Sequence, residues 1–493
     1  MERRCVVLQL ISTGLQKVTA DAIVIPVCED RTIYVDKTIV AWIQEAKKFQ
    51  EFKGRKSDEV TLYHVPEVKP ERIIFSGLGK FSEINPETFR GLIGGIVQSS
   101  IKKEFSHILI AAPDEEKLDH PIELIIEAML EGACLGNHIF DRYKKEKKYK
   151  ALKKIGVLTS SNIVKKLRHL PDRIQTICEG TIMARNWVST PPNEKKPEQF
   201  SREIARLAGK EKLKVRVIQE GELKKLKMNA MLAVAAGSES SARLVILEHE
   251  PGDSKQTIVL VGKGVTFDSG GINLKPSGSL EDMKMDMAGA AAVAATMITA
   301  ARLGIRKRLI GVIPIVENMP SGSATRPGDI VRSYAGKTVE IGNTDAEGRL
   351  ILIDAISYAI KKFRPDTVID LATLTGACVM ALGEKIAGVF SPDDDLSNML
   401  ISAGEKTYER CWRLPLPEDY KELIKSDLAD IKNLASSRMG GAITAALFLS
   451  EFADVSKWAH IDIAGPAFAK KGTTYCPKGG TGFGVRLLCE VLK

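Results

Sequence analysis

Two carboxylates spaced two residues apart, Asp345 and Glu347, stand in the run Gly342-Asn343-Thr344-Asp345-Ala346-Glu347-Gly348-Arg349-Leu350. In an extended loop both side chains project to the same side, a natural clamp for a divalent cation. A polar turn capping a helix that starts at Arg349 has the same appearance. A third carboxylate, Asp268, lies in the run 259–271, where an apolar strand passes directly into Lys263, Asp268 and the glycines 262, 264, 270 and 271. Glycine permits close backbone approach. The order is not GxxxxGK[ST], so a phosphate-cradling loop is a weak alternative and a tight surface turn the plainer one. Asp286 opens the most apolar, alanine-rich stretch of the chain. It could simply favour a helix dipole. The alanine-rich stretch is too apolar for a surface helix, however, so Asp286 is expected to point inward, where a carboxylate needs a cation or strong donors. Lys275, in Asn273-Leu274-Lys275-Pro276-Ser277, carries little information by itself, because lysine is seldom buried. Together Asp268, Asp286, Asp345 and Glu347, with Lys263, Lys275 and Arg349, offer a binuclear centre. Two divalent ions about 3.5 Å apart can polarise a carbonyl and activate a water together. The seven histidines are dispersed with no HExxH or HxH, and the eight cysteines, at Cys5, Cys28, Cys134, Cys178, Cys378, Cys411, Cys476 and Cys489, form no CxxC pair. Any metal site therefore rests on carboxylates, and the thiols read as reduced and mostly buried.

These segments sit where strand patterns end, which is where α/β sheets bind ligands. Strands are predicted at 6–11, 22–27, 73–76 and 107–112, with helical spacing over 86–101 and 122–135; this is an α/β module with a largely parallel sheet. Around 142–173 the chain becomes lysine-rich and less regular. A helix is predicted over 172–188, stopped by Thr190-Pro191-Pro192. A second α/β domain comes next, with strands at 214–218, 244–248, 257–261, 309–315, 367–371 and 460–463 and helices at 197–208, 279–303 and 349–363. The expected organisation is an N-terminal α/β domain over 1–165, a linker helix over 166–192 and a catalytic domain over 193–493.

Composition bounds the rest. With 493 residues, 44% hydrophobic and 27% charged, the chain is ordinarily globular and long enough to bury large cores without staples. The N-terminal apolar run is short and interrupted by Gln9, unlike a signal peptide, and no stretch approaches a membrane span. The expectation is a cytoplasmic protein with no membrane partner. The net charge of +9 is concentrated partly in Lys144, Lys145, Lys147, Lys148, Lys150, Lys153 and Lys154. Such a run reads first as a solvated face and second as a contact for nucleic acid or another anion.

The runs 262–271 and 343–350 resemble the leucyl aminopeptidase family (cytosol aminopeptidases, peptidase family M17), the second being that family's signature octapeptide. Asn318-Met319-Pro320-Ser321-Gly322, Arg326-Pro327-Gly328-Asp329, the run 370–377 and the run 458–465 support the likeness, which spans about residues 180–490. The N-terminal part is similar only in layout, to the family's macro-domain-like module. The resemblance implies a larger C-terminal α/β/α dizinc-exopeptidase domain with a central mixed sheet. It also implies a metalloaminopeptidase that binds two divalent ions, Mn2+ or Zn2+, and acts as a homohexamer on peptides with a free N-terminus. Asp268 and Glu347 would bridge both ions, Asp345 would complete the tightly held one, and Lys263 and Asp286 the exchangeable one. Lys263 would then be neutral, with a strongly lowered pKa beside two cations. Lys275 would act as electrophile at the scissile carbonyl, and Arg349 would hold bicarbonate as general base. Ala288 stands where glycine is frequent in the family.

Thr373, Leu374, Gly376 and Ala377 lie just after a strand and are expected, with Met283, to line the pocket for the released side chain; a wide apolar pocket suits leucine and methionine. Met283 has plain core packing as its alternative. His460 invites a catalytic role, but its apolar setting and lack of a second histidine favour a structural one. Two other functions compete with peptide hydrolysis. One is nucleic-acid binding, for which no reading motif is apparent. The other is metal-dependent phosphoryl transfer, since carboxylate pairs also hold Mg2+.

Overall fold

The computed structural model describes residues 6–493 apart from 67, 253, 255 and 438; Cys5 lies outside them. The chain forms two compact units, one of residues 1–179 with 471–478, the other of 180–470 with 479–493. The division falls inside the helix Leu170–Ser189.

The first unit carries a six-stranded sheet in the order β1-β6-β5-β2-β4-β3. Its strands are β1 (Val7–Ile11), β2 (Ala22–Cys28), β3 (Glu59–Tyr63), β4 (Arg72–Gly79), β5 (His107–Ala111) and β6 (Lys154–Leu158). All neighbours are parallel except β3 with β4. Every residue of β2 is buried, as a central parallel strand covered on both faces requires. β6 corrects the expectation of irregular chain over 142–173. Between exposed lysines, Ile155, Val157 and Leu158 supply a short apolar run that pairs with both β1 and β5. The helix Pro86–Lys102 starts with a capping box at Asn85 and Thr88 and packs on the helix Ile122–Gly136. Residues 471–478 fold with this unit: Gln98 Nε2 donates to Thr473 O, and Tyr475 OH to Glu87 Oε1.

The second unit is built on a nine-stranded mixed sheet. Its strands are β7 (Lys214–Gln219), β8 (Arg243–His249), β9 (Thr257–Gly262), β10 (Gly264–Asp268), β11 (Arg308–Asn318), β14 (Thr367–Ala372), β15 (Ala387–Phe390), β16 (Cys411–Arg413) and β18 (Lys457–Asp462). They run in the order β16-β15-β18-β14-β9-β11-β8-β7, with β10 on β11. The short strands β12 (Ile330–Arg332), β13 (Thr338–Glu340) and β17 (Ile431–Lys432) form a separate sheet. The four central strands β18, β14, β9 and β11 are mutually parallel, so their carboxyl ends share one edge. The helices Ala288–Leu303 and Glu347–Phe363 each pack on β9, β11 and β14 and cover the two faces. Ala288 to Ala300 are all buried, as befits a helix that is apolar all round.

The single helix expected over 279–303 is instead a short helix Ser277–Leu280, a 3-10 turn Met283–Met285 and the helix Ala288–Leu303. The break is set by tertiary contact. Ala290 N donates to Lys263 O at 2.8 Å, and a Cβ on Gly289 would lie 2.1 Å from Leu371 O. The helix therefore begins only where its backbone meets the ends of β9 and β14, and Asp286 is left in the turn before it. Among the described residues no helix is long and apolar enough to cross a membrane, and all seven described cysteines are buried.

Because Gly289 touches backbone that cannot yield, G289A should destabilise the protein by about 1–3 kcal/mol, the usual cost of overpacking. The measurement is the urea midpoint; an unchanged midpoint would show that the helix start can shift freely.

Candidate metal centre

Lys263 comes directly after β9, Asp268 ends β10, Asn318 ends β11, Thr373 comes directly after β14 and Asp462 ends β18. The parallel strands thus deliver one polar side chain each to the same edge, the place where such sheets bind ligands. The turn before the helix Ala288–Leu303 adds Asp286, and the first turn of the helix Glu347–Phe363 adds Glu347 and Arg349.

An oxygen from each of Asp268, Asp286 and Glu347 lies within 4.8 Å of the others, and all three residues are buried. Lys263 Nζ sits among them, 2.7 Å from Asp286 Oδ1 and 2.7 Å from Glu347 Oε1, and donates to Thr373 O at 2.9 Å. Gly348 makes room for this lysine; a Cβ there would stand 2.7 Å from Nζ. Lys275 Nζ joins Asp268 Oδ2 at 2.8 Å to Asp345 Oδ1 at 2.5 Å. Sequence reasoning brought together Lys263, Lys275, Asp268, Asp286, Asp345 and Glu347, and the folded chain places them in contact.

Two ammonium groups face four carboxylates here, an excess of negative charge in a buried place. The strain shows in individual atoms. Asp286 Oδ2 is buried with no hydrogen-bond partner, while Glu347 Oε1 and Asp345 Oδ1 meet a lysine without hydrogen-bond geometry. Burial raises the pKa of Asp268 and Asp345 and lifts that of Asp286 well above its ordinary value; neighbouring carboxylates add to this and the lysines oppose it. Burial alone would lower Lys263, but Asp286, Glu347 and Asp268 outweigh it and hold the ammonium above the ordinary lysine value. Lys275 is raised in the same way by Asp268, Glu347 and Asp345. The lowered Lys263 expected beside two cations is thus reversed when only the carboxylates act. A donor set of oxygens and one amine with an unbalanced negative charge fits divalent ions.

Several supporting residues were given no role in the sequence reading. Asn318 Nδ2 donates to Asp268 Oδ1 at 2.8 Å and to Thr344 O at 3.0 Å, fixing one carboxylate and the loop that carries another. Its place at a strand end beside the charged loops was the available signal. Thr373, expected in the pocket, donates its hydroxyl to Asp286 Oδ1 at 2.7 Å. Asn433, fully buried, accepts from Gly342 N and donates to Asn343 O, both at 2.8 Å; nothing in its irregular segment marks it. Asp462 accepts from Leu374 N at 3.1 Å and Thr375 Oγ1 at 2.7 Å, shaping the loop after β14. Met283 lies half-buried in the 3-10 turn, and Gly376 opens the helix Gly376–Leu382. Leu374 packs on the main core, and Ala377 on a small cluster with Cys378, Phe390, Ala442 and Ala446.

Arg349 is buried; Nη1 donates to Asn433 O at 2.8 Å, and Nε has no partner. Burial pulls its pKa down to about 10, against Glu347 and Asp462. His460 is fully buried, with Nδ1 2.6 Å from Asp370 Oδ1 and its ring stacked on Phe390, while Trp458 Nε1 donates to Asp370 Oδ2. Its setting among core side chains agrees with a structural role.

The family profile for the cytosol aminopeptidase catalytic domain matches residues 182–489, and that for the N-terminal domain matches residues 25–147. A probable cytosol aminopeptidase of Geobacter sp. (strain M21) is 43% identical over 448 residues, covering 90% of both chains. One of Clostridium perfringens (strain 13 / Type A) is 38% identical over 476 residues, covering 96% of both. Among solved structures, the bottromycin maturation enzyme BotP in complex with Mn is similar with a TM-score of 0.86 and 35% identity, over 96% of this chain and 99% of that one. Fold and site together define a metal-dependent hydrolase of the α/β class. The chain belongs to the cytosol aminopeptidase family and is a metalloaminopeptidase.

Because burial and mutual repulsion raise the carboxylates and Lys263 is held protonated, loading the site must displace protons. Divalent-ion affinity should therefore fall as pH drops from neutral and rise above it. Calorimetric titration of Mn2+ in buffers of different ionisation heat measures the proton release; a pH-independent affinity would contradict the charge assignment.

Proposed function

We propose that this protein removes single residues from the free N-terminus of peptides in the cytoplasm. It favours leucine- and methionine-like side chains, uses two Mn2+ or Zn2+ ions, and works as a homohexamer. The observation that carries this reading is the convergence of Asp268, Asp286 and Glu347 within 4.8 Å, with Asp345 tied to them through Lys275. The manganese named for BotP supports that metal here. Bound ions would supply Lewis-acid polarisation of the scissile carbonyl and a nucleophilic water at neutral pH.

The chain's own residues then have distinct tasks. Asp268 and Glu347, central in the cluster, would bridge the ions, with Asp345 completing one and Asp286 and Lys263 the other. Lys263 must give up its proton to take that place. Lys275, partly accessible at 15% exposure, would donate from its ammonium to the carbonyl oxygen as charge grows there. Arg349 would hold the bicarbonate that serves as general base. Its unpartnered Nε and its position in the first turn of a helix, where the dipole favours anions, support an anion at that point. Met283, Leu374, Gly376 and Ala377 would line the side-chain pocket, while Thr373 steadies Asp286.

A secondary contact with nucleic acid rests on one feature, the exposed run Lys144, Lys145, Lys147 and Lys148. A gel shift that weakens steeply with salt would support it, and no shift at low salt would remove it.

On leucine p-nitroanilide, chelation should abolish activity and added Mn2+ restore it. K275A should lower kcat about 10²–10³-fold, as loss of an oxyanion donor does, with KM little changed; an unchanged kcat would refute the role. E347A and D345A should lose activity and bound metal together, as read by elemental analysis.

A further inference from the structure

Lys195 is a buried lysine that the chemistry above does not use. It comes directly after the turn Pro192–Glu194 and is 3% exposed. No carboxylate among the described residues pairs with it. Its Nζ instead donates to three carbonyl oxygens, Trp187 O at 2.9 Å, Val188 O at 3.0 Å and Lys284 O at 2.6 Å, with Met287 Sδ at 3.4 Å. Three carbonyls consume the three protons of an ammonium, which leaves no lone pair for nucleophilic work. Burial with no counter-ion, and Lys284 nearby, pull its pKa well below the ordinary lysine value; the three carbonyls oppose that by accepting from the charged form.

The three carbonyls come from two places. Trp187 and Val188 end the helix Leu170–Ser189, whose last carbonyls lack intrahelical partners and whose dipole favours a cation. Lys284 lies in the 3-10 turn Met283–Met285, two residues before Asp286. Met287 is the residue after Asp286. The ammonium thus grips the turn on both sides of that carboxylate, and Asp286 itself reaches Lys263 and Thr373. The turn is the break between two helices; it packs on β10, and Lys195 ties its backbone to the helix Leu170–Ser189.

We propose that Lys195 is a positioning residue: its carbonyl-caged ammonium pins the Met283–Met287 turn to the end of the helix Leu170–Ser189 and so sets Asp286 as a ligand. The inference rests on the reading of Asp286 as a metal ligand. Loss of such an outer partner typically weakens metal affinity about 10–100-fold. It should act on one ion only, since Asp268, Asp345 and Glu347 are held by other elements.

The test is Mn2+ titration of the full-length wild type, D286N, K195A and K195Q, by calorimetry and by the electron paramagnetic resonance of the bound ions. The wild type should bind two ions and D286N should lose one. K195A should keep the first ion and bind the second about 10–100-fold more weakly. Propylammonium, the fragment removed, should restore it, while tetramethylammonium, which has no N–H, should not. K195Q, with two donors and no charge, should fall between and supplies the answer should K195A fail to fold. Wild-type affinity in K195A and K195Q would overturn the proposal. So would a loss shared equally by both ions and unaffected by propylammonium. A wild type that binds no second ion, or a D286N variant that keeps both, would instead overturn the reading of the site itself.

Discussion

Four carboxylates and two ammonium groups share a space from which water is largely excluded, and most features of the second unit stem from that imbalance. Like charges at this range in a low dielectric repel strongly. The protein tolerates them because each is held by something rigid. Asp268 is fixed by Gly270 N and Asn318, Asp286 by Lys263 and Thr373, and Asp345 N by Asn343 Oδ1. The supports themselves come from strand ends and helix starts, which can hold position under repulsion better than a free loop. A site arranged this way has been built against its own electrostatics, and divalent cations are what make the arrangement favourable.

The two lysines divide the work. Lys263 is enclosed, with 3% of its side chain exposed, and faces carboxylates and a carbonyl. Lys275 comes from the loop after β10 and is five times more accessible. In the proposed function, one would become part of the inner ligand set and the other would remain charged beside a substrate. The same residue type serves both ends because burial, charge and access differ within a few ångströms.

Much of this was legible in the sequence. The apolar runs of β2, β9, β11 and β14 announced central strands, and charged, glycine-rich segments directly after them marked the site edge. The clustered carboxylates stood out because carboxylates beside long apolar runs need a reason. What stayed hidden depends on tertiary contact. β6 is a five-residue run among lysines, stabilised by pairing on both sides and not by its own pattern. The break before Ala288 is imposed by Leu371 O pressing on Gly289, which no local propensity records. Asn433 and Lys195 lie in irregular chain, and their partners are 84 to 91 residues away for Asn433 and up to 92 residues away for Lys195.

The segment 471–478 carries a consequence for how the molecule is made. It belongs to the first unit, yet it is encoded within the last 25 residues of the chain. A ribosome releases domains in order, the N-terminal one first. On the helix Pro86–Lys102 the seat for Thr474 and Tyr475, beside Gly94, can be filled only after residues 180–470 of the second unit have been made. The first unit is therefore completed by chain made after most of the second, and loss of the residues from 471 onward would leave both units incomplete.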